Sequence, residues 1–252
     1  MGAPIDSTQA KQHTLEDWLH LHELDRETCL HLLDEIEREF AKIPACGDDP
    51  DQQSLSLDPD GVWKEITSSM CKFLPEHRSI IEDTFQGSKK IAIAGRGKSR
   101  KALTVDNGPD EYPTIMYNYF GDVADLLVVA HEFGHALQIR ASKGQFMPPV
   151  MREACAFLSE GFLLSCCLND NFATGEKLLQ HWRKSSQRYF GNLATRLRSS
   201  LHNSAKVYEY GWNYPIARLI ALRILTNFSQ DPVWSVFQGD FSMKRVVNQL
   251  AI

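Results

Sequence analysis

Residues 126–136 read LLVVAHEFGHA, an apolar run that leads into two histidines four positions apart. The surrounding pattern predicts a helix over 122–142. Four residues of an α-helix turn through about 400°, so the imidazoles of His131 and His135 project from one face and can share a metal ion such as zinc. Glu132 stands beside the first histidine, where its carboxylate can take a proton from a metal-bound water.

A catalytic zinc needs three protein ligands and one open position, so a third ligand must come from elsewhere in the chain. The extended pattern HExxHxxGxxH is excluded, because Gln138 and Ala141 stand where it requires glycine and histidine. The next predicted helix, 150–168, is mostly apolar but carries Glu153 and Glu160. Seven residues separate these glutamates, so they share nearly one face. The spacing leaves both open as the third ligand.

Residues 113–138, PTIMYNYFGDVADLLVVAHEFGHALQ, resemble the oligoendopeptidase F and thimet oligopeptidase family of zinc metallopeptidases. The resemblance runs from about Lys89 to Leu222, and GRGKSRKAL at 95–103 looks like that family's Gly-Lys-Arg hairpin. It implies that Glu153 is the third zinc ligand and that Glu160 lies two helical turns further along. A thermolysin-like site, with aspartate four residues after the ligand, does not fit because that position is phenylalanine.

Residues 206–217, KVYEYGWNYPIA, resemble the tyrosine-rich helix of the same family, and we expect a helix over 204–227. In that family a tyrosine of this helix donates a hydrogen bond to the oxyanion of the tetrahedral intermediate. The resemblance matches Tyr208 best, and Tyr210 is the alternative. His202 is a further candidate for polarising the substrate carbonyl, although its spacing differs from the family's by several residues.

The fold class that we expect is mainly α, a helical zinc-metallopeptidase catalytic domain with a small antiparallel β-sheet beside the active-site helix. Residues 1–88 are predicted to form an N-terminal helical region, with Thr14 and Asp25 as N-caps. Residues 89–252 are predicted to form the catalytic core. The turn-rich, acidic stretch 44–60 is the candidate linker.

The individual elements follow from the apolar periodicity. One bent helix or two helices are expected between 14 and 42, and another from about 62 toward 85, disturbed at Pro75. Strands are expected between 91 and 117, and the later helices over 122–142, 150–168, 174–200, 204–227 and 232–249. By the same family resemblance, the sheet would supply an edge strand to which the substrate backbone adds.

A competing motif lies at 92–99, AIAGRGKS, which comes close to a phosphate-binding loop. Such a loop requires a helix that starts at its final serine, but the residues that follow Ser99 are typical of a strand and a turn. We therefore expect a basic hairpin, whose cationic side chains are solvated or contact an acidic substrate. They are Arg96, Lys98, Arg100 and Lys101.

The cysteines and the two aspartates before the motif have structural interpretations. The six cysteines form no CxxC pair, so they are expected to be buried thiols of a reducing compartment. Asp122 and Asp125 precede the histidines; they either orient an imidazole or are the acidic residues usual at a helix N-terminus.

The chain has 252 residues, 43% of them hydrophobic, and a net charge of −5 with both signs interspersed. This balance argues against nucleic acid as a partner, and the apolar runs are too short for a membrane span. The start lacks the features of a secretory signal, so a cytoplasmic location is expected, although export by a signal-less route stays open. The sequence does not indicate an oligomeric state.

These observations predict a metallopeptidase with one Zn²⁺ that hydrolyses internal bonds of a peptide or protein substrate. Glu132 would assist the attack of zinc-bound water. Two alternatives stay open: a catalytically inactive module of the same frame that binds a partner, and a zinc hydrolase of a non-peptide amide. The chain is shorter than is typical for the family, so the helical walls that restrict the family to short peptides are expected to be partly missing.

Overall fold

A computed structural model describes residues 13–44, 57–95, 99–203, 205–227, 230–240 and 242–249. The first helices and the strands are α1 (Leu15–Leu21), α2 (Arg26–Phe40), α3 (Pro59–Phe73), α4 (Arg78–Gly87), β1 (Lys89–Ala94), β2 (Ala102–Val105) and β3 (Thr114–Tyr119). The later helices are α5 (Ala124–Ala141), α6 (Pro149–Asp170), α7 (Phe172–Gln187), α8 (Ala194–Ser200), α9 (Asn213–Thr226), α10 (Gln230–Gln238) and α11 (Met243–Gln249). The expected mainly α class with one small sheet is confirmed.

The N-terminal region contains two separate helices before the candidate linker. Thr14 caps α1 with a full capping box and Asp25 caps α2, as predicted. Their apolar sides pack on the rest of the chain: the Trp18 indole donates a buried hydrogen bond of 2.8 Å to Asn213 at the start of α9. Most of the linker, 45–56, lies outside the described residues. The division at residue 88 stays a prediction.

The sheet differs in topology from the expectation of antiparallel strands throughout. Its order is β1-β3-β2, with β2 antiparallel and β1 parallel to β3. Only β3 buries alternate side chains, Ile115 and Tyr117, at 0% and 2% exposure. That strand takes the central position, so β1 and β2 cannot pair with each other as consecutive strands of a meander would.

The core is built around α6, which packs on α5, α9, α7 and α3. Nearly every side chain of α6 from Glu153 to Leu164 is buried. The helix predicted over 174–200 is divided by a π-helical turn, Arg188–Leu193. The helix predicted over 232–249 is two helices, separated near Gly239, whose φ of +80° is unfavourable for other residues.

The prediction of a helix over 204–227 was wrong for its first part. Val207 forms an isolated antiparallel bridge with Thr14, and the amide of Tyr208 donates a 2.8 Å bond to the carbonyl of His13. These bonds hold the segment extended, because its backbone groups are satisfied by a distant part of the chain. Helical structure starts only with the 3₁₀ turn Tyr210–Trp212.

Five cysteines are free thiols and buried, as expected, while Cys46 lies outside the described residues. Among the described residues, no helix combines the length and the apolar character that crossing a bilayer requires.

Candidate functional site

The two histidines of the motif and Glu153 meet where α5 crosses α6. One ligand atom from each of His131, His135 and Glu153 lies within 4.8 Å of the other two. Glu153 Oε2 is 3.2 Å from Nε2 of His131 and 3.7 Å from Nε2 of His135. In a tetrahedral zinc site with bonds of about 2.0–2.1 Å, the ligand atoms are roughly 3.3 Å apart. The two separations from Glu153 are close to this value, so the three side chains could hold one metal ion.

A glycine in the motif allows this close approach of the two helices. A Cβ atom built on Gly134 would be only 2.6 Å from the Cα of Ala156 and 2.8 Å from the carbonyl oxygen of Cys155. Both atoms belong to the α6 backbone, three and two residues after Glu153. Because Gly134 has no side chain, the Glu153 carboxylate can approach the face of α5 that carries the two histidines.

An unpartnered polar atom supports metal binding at this point. Oε2 of Glu153, which faces Nε2 of both histidines, is one of the described buried side-chain atoms that make no hydrogen bond of good geometry. Burial lowers the pKa of His135 to about 4, so its imidazole is neutral and keeps a lone pair for a metal. Burial opposes ionisation of Glu153, but the adjacent imidazoles of His135 and His131 and the hydrogen bond from Tyr210 lower its pKa to about 2. The anionic Glu153 carboxylate and the neutral His135 imidazole fit a Zn²⁺ ion, and His131 would release its proton when the ion binds.

Glu132 is oriented from the sheet. The hydroxyl of Thr104 on β2 donates a 2.7 Å hydrogen bond to Oε2 of Glu132 and lies 3.0 Å from its backbone carbonyl. Burial raises the pKa of Glu132, and the charge of His131 together with the Thr104 bond moderates the rise. A raised pKa brings a carboxylate closer to the value of an effective general base at neutral pH. Thr104 could not be identified from the sequence, because no local pattern relates a strand residue to a glutamate 28 positions away.

Glu160 lies behind the first histidine. Its Oε1 accepts a 2.7 Å hydrogen bond from Nδ1 of His131, and its Oε2 accepts one of 2.7 Å from the Arg218 guanidinium. Arg218 is fully buried, and its guanidinium carbon lies 3.8 Å from the ring centre of Trp182. Burial alone would lower the pKa of His131, but the carboxylates of Glu153 and Glu160 raise it well above its ordinary value. Glu160 has the position of a partner that orients a metal-binding imidazole.

The two aspartates before the motif do not orient an imidazole. Asp125 accepts hydrogen bonds from the amides of Phe120 and Gly121, at 2.9 and 2.7 Å, and pairs with Arg100. Asp122 also pairs with Arg100 and accepts a 3.0 Å bond from the amide of Ala124. Of the two expectations, the structure supports acidic residues at a helix N-terminus. It also shows Arg100 in ion pairs, whereas Arg96 and Lys98 of the basic hairpin lie outside the described residues.

The tyrosines of 206–217 have different surroundings. The Tyr208 hydroxyl accepts a 2.6 Å bond from Asn213, whereas the Tyr210 hydroxyl donates one of 2.6 Å to Oε1 of Glu153. Tyr214 lines a cleft together with His131 and Glu132. His202 is exposed in the turn after α8. The structure thus brings Tyr210 and Tyr214 to the histidines and glutamates, and it engages Tyr208 with Asn213 instead.

The cleft beside the candidate metal centre has a volume of about 1010 Å³. It is bounded by α5, by residues of β2 and by the last part of α7. Burial raises the pKa of Tyr214, so its hydroxyl keeps its proton and can donate a hydrogen bond into the cleft. At the phosphate-loop-like motif, the strand β2 follows in place of the required helix, as expected.

Comparisons with known proteins bear on the fold. No protein-family model and no curated protein matches the sequence. The structure is similar to that of a provisionally assigned peptidase from Chlamydophila abortus, with a TM-score of 0.65 and 14% identity over 94% of this chain and 53% of that one. It is also similar to a provisionally assigned oligoendopeptidase F from Bacillus anthracis str. Ames, with a TM-score of 0.58 and 14% identity over 96% of this chain and 53% of that one.

A third similar structure is PZ peptidase A with an inhibitor, with a TM-score of 0.50 and 14% identity over 96% of this chain and 56% of that one. The chain spans about half the length of the structures that it matches. At these identities the likeness concerns the fold: the chain has the helical fold found in these peptidase structures.

Proposed function

We propose that the protein is a zinc-dependent metallopeptidase that hydrolyses internal peptide bonds. The observation that carries the proposal is the convergence of His131, His135 and Glu153 within 4.8 Å, next to Glu132 at a cleft of about 1010 Å³. A metal site of two histidines and one glutamate with an adjacent glutamate is the donor set of a hydrolytic zinc centre. The folds of the similar peptidase structures are consistent with this chemistry.

The three ligands would hold one Zn²⁺ ion, which supplies Lewis-acid polarisation of a carbonyl and lowers the pKa of water. Glu132 accepts the proton of the attacking water and later donates it to the leaving amine. The Thr104 hydroxyl holds one oxygen of Glu132, so the carboxylate is oriented before the substrate arrives. Glu160 holds the His131 ring through Nδ1, which leaves Nε2 for the metal.

The oxyanion requires a donor in the cleft. Tyr214 lines the cleft beside His131 and Glu132, so it is our first candidate, ahead of the sequence-predicted Tyr208. Tyr210 is the second candidate, because a small rotation of its hydroxyl away from Glu153 would release it for the substrate. For His202 we propose no catalytic step.

The substrate backbone would pair with β2. That strand is an edge of the described sheet, its Ala102 lines the cleft, and Leu103 is 55% exposed. An extended peptide can add to such an edge by main-chain hydrogen bonds. Because Thr104 of the same strand contacts Glu132, this pairing would deliver a peptide bond to the general base.

The test combines metal analysis with peptide cleavage. We expect one zinc per chain, and we expect cleavage of a quenched-fluorescent peptide library to fall by about 10²–10⁴-fold in Glu132→Gln, which retains the metal. Glu111→Gln, a matched change at an exposed glutamate, should keep wild-type activity. Chelation should abolish cleavage and added zinc should restore it. Full activity of Glu132→Gln would overturn the mechanism, and stoichiometric zinc without turnover would indicate a binding module instead.

A further inference from the structure

One face of α7 and the π-helical turn after it forms a cationic wall of the cleft. His181, Lys184, Ser185 and Arg188 all line the cleft that contains His131 and Glu132. Their spacing of three, four and seven residues puts them on one stripe. Lys184 and Arg188 are exposed at the end of this stripe. Burial lowers the pKa of His181, so that imidazole is neutral at pH 7.

The acidic side chains of the cleft are already engaged by other groups. Asp122 pairs with Arg100, and Glu160 pairs with Arg218 at 2.7 Å. Glu132 accepts the Thr104 hydrogen bond. Arg188, in contrast, makes no ion pair or hydrogen bond with any residue that the structure describes. The cleft therefore offers a guanidinium for which the described protein provides no counter-ion.

Arg188 also lines the same cleft as His131 and Glu132 of the proposed reaction centre. Burial raises the pKa of Tyr189 and Tyr214, and the positive charge of Arg188 opposes this rise at both rings. These rings stack with their centres 5.3 Å apart, and both line the cleft with Glu132. A carboxylate bound at Arg188 would thus belong to a substrate residue near the bond that is cleaved.

We propose that Arg188 forms a subsite for a substrate carboxylate, so that the protein prefers peptides with an acidic group near the scissile bond. The proposal rests on the peptidase function proposed above. A guanidinium presents parallel donors that match a carboxylate in two-point contact. The carboxylate can be an Asp or Glu side chain or the free C-terminus of the peptide.

Peptide pairs test the subsite and separate these two sources. In the first kind of pair, both peptides have an amidated C-terminus and differ by Glu or Gln at a single position near the cleaved bond, and each such position has its own pair. In the second kind, both peptides have Gln at these positions and differ by a free or an amidated C-terminus. For one of the two kinds of pair, we expect the wild type to cleave the acidic peptide with a kcat/KM about tenfold higher than that of its neutral partner, and the kind of pair identifies the source of the carboxylate. The ratio should fall to about one in Arg188→Gln and below one in Arg188→Glu. Arg183→Gln, on the same helix but off the stripe, should keep the wild-type ratio.

A binding measurement separates this proposal from the peptidase function itself. Fluorescence anisotropy of the labelled Glu- and Gln-containing peptides on zinc-loaded Glu132→Gln protein needs no turnover. We expect the acidic peptide to bind about tenfold more tightly, and the added change Arg188→Gln to remove the difference. If selective binding is seen without cleavage by the wild type, the peptidase function fails and the subsite stands. Equal binding of the two peptides, or a preference that Arg188→Gln leaves unchanged, would overturn the subsite.

Discussion

Gly134→Ala tests whether the crossing of α5 and α6 builds the proposed metal centre. The new Cβ would lie 2.6 Å from the Cα of Ala156, about 0.8 Å short of the 3.4 Å at which ordinary contact begins. Because the contact is with backbone, α5 and α6 must separate by a comparable distance. A zinc site tolerates about 0.2 Å in its ligand distances, so Glu153 would bind an ion held by the histidines in a longer and weaker bond. We expect zinc affinity to fall by about 10–100-fold, as when an outer partner of a metal ligand is removed.

The stability of the same variant should change much less. Overpacking costs about 1–3 kcal/mol, but replacing glycine by alanine inside a helix recovers about 1 kcal/mol. The expected net loss in free energy of unfolding of the apo-protein is therefore about 0–2 kcal/mol. Loss of zinc affinity, rather than unfolding, is the diagnostic result.

Gly175→Ala is the matched control. Its Cβ would lie 2.6 Å from the backbone of Leu168, where α7 contacts the far end of α6. The overlap is the same, but the displaced backbone is fifteen residues beyond Glu153. Competition with a chromophoric chelator measures zinc affinity, and urea denaturation measures stability. Unchanged zinc affinity in Gly134→Ala, or an equal loss in Gly175→Ala, would refute the argument.

Three further predictions concern buried polar groups. Glu160→Gln should weaken zinc binding by about 10–100-fold in chelator competition, because the His131 ring loses its anionic partner; unchanged affinity would contradict that role. Arg218→Met should lower the free energy of unfolding by about 3–5 kcal/mol in urea denaturation, because it leaves the Glu160 carboxylate buried without its guanidinium partner. The double variant Arg218→Met with Glu160→Gln should recover most of this loss. A double variant as unstable as Arg218→Met would count against the buried charge as the cause. His22, buried between the Trp18 carbonyl and the Val150 amide, has its pKa lowered by burial from 6.5 to about 4. The unfolded chain therefore binds the proton first as the pH falls, and wild-type stability should decline between about pH 6.5 and 4 by on the order of 3 kcal/mol more than that of His22→Gln. Parallel curves for the two proteins would refute this assignment.

The positions of single helices along the chain were the most predictable part of the fold. The helix that carries the histidines was expected over 122–142 and is Ala124–Ala141, and the next was expected over 150–168 and is Pro149–Asp170. Both follow from apolar periodicity, which depends only on neighbours along the chain. The N-caps Thr14 and Asp25 were predictable for the same reason.

Errors arose where distant segments compete for the same backbone groups. Residues 206–208 have a helical pattern but bond to residues 13–15, nearly two hundred positions earlier. This pairing changes the direction of Tyr208 and Tyr210, and only Tyr210 contacts Glu153. The parallel pairing of β1 with β3 likewise depends on which strand is buried, and the amino-acid sequences of the strands do not specify this pairing.

The sequence by itself determined that His131 and His135 share a helix face, with Glu132 beside them, because a helix repeats every 3.6 residues wherever it lies. It also placed Glu153 and Glu160 on one face of the following helix. Only the tertiary structure decided how these faces meet: Glu153 Oε2 comes 3.2 Å from Nε2 of His131, while Glu160 contacts Nδ1 of the same ring. The physical reason is that interhelical distances depend on contacts such as Gly134 against Ala156, which no periodicity within one helix encodes.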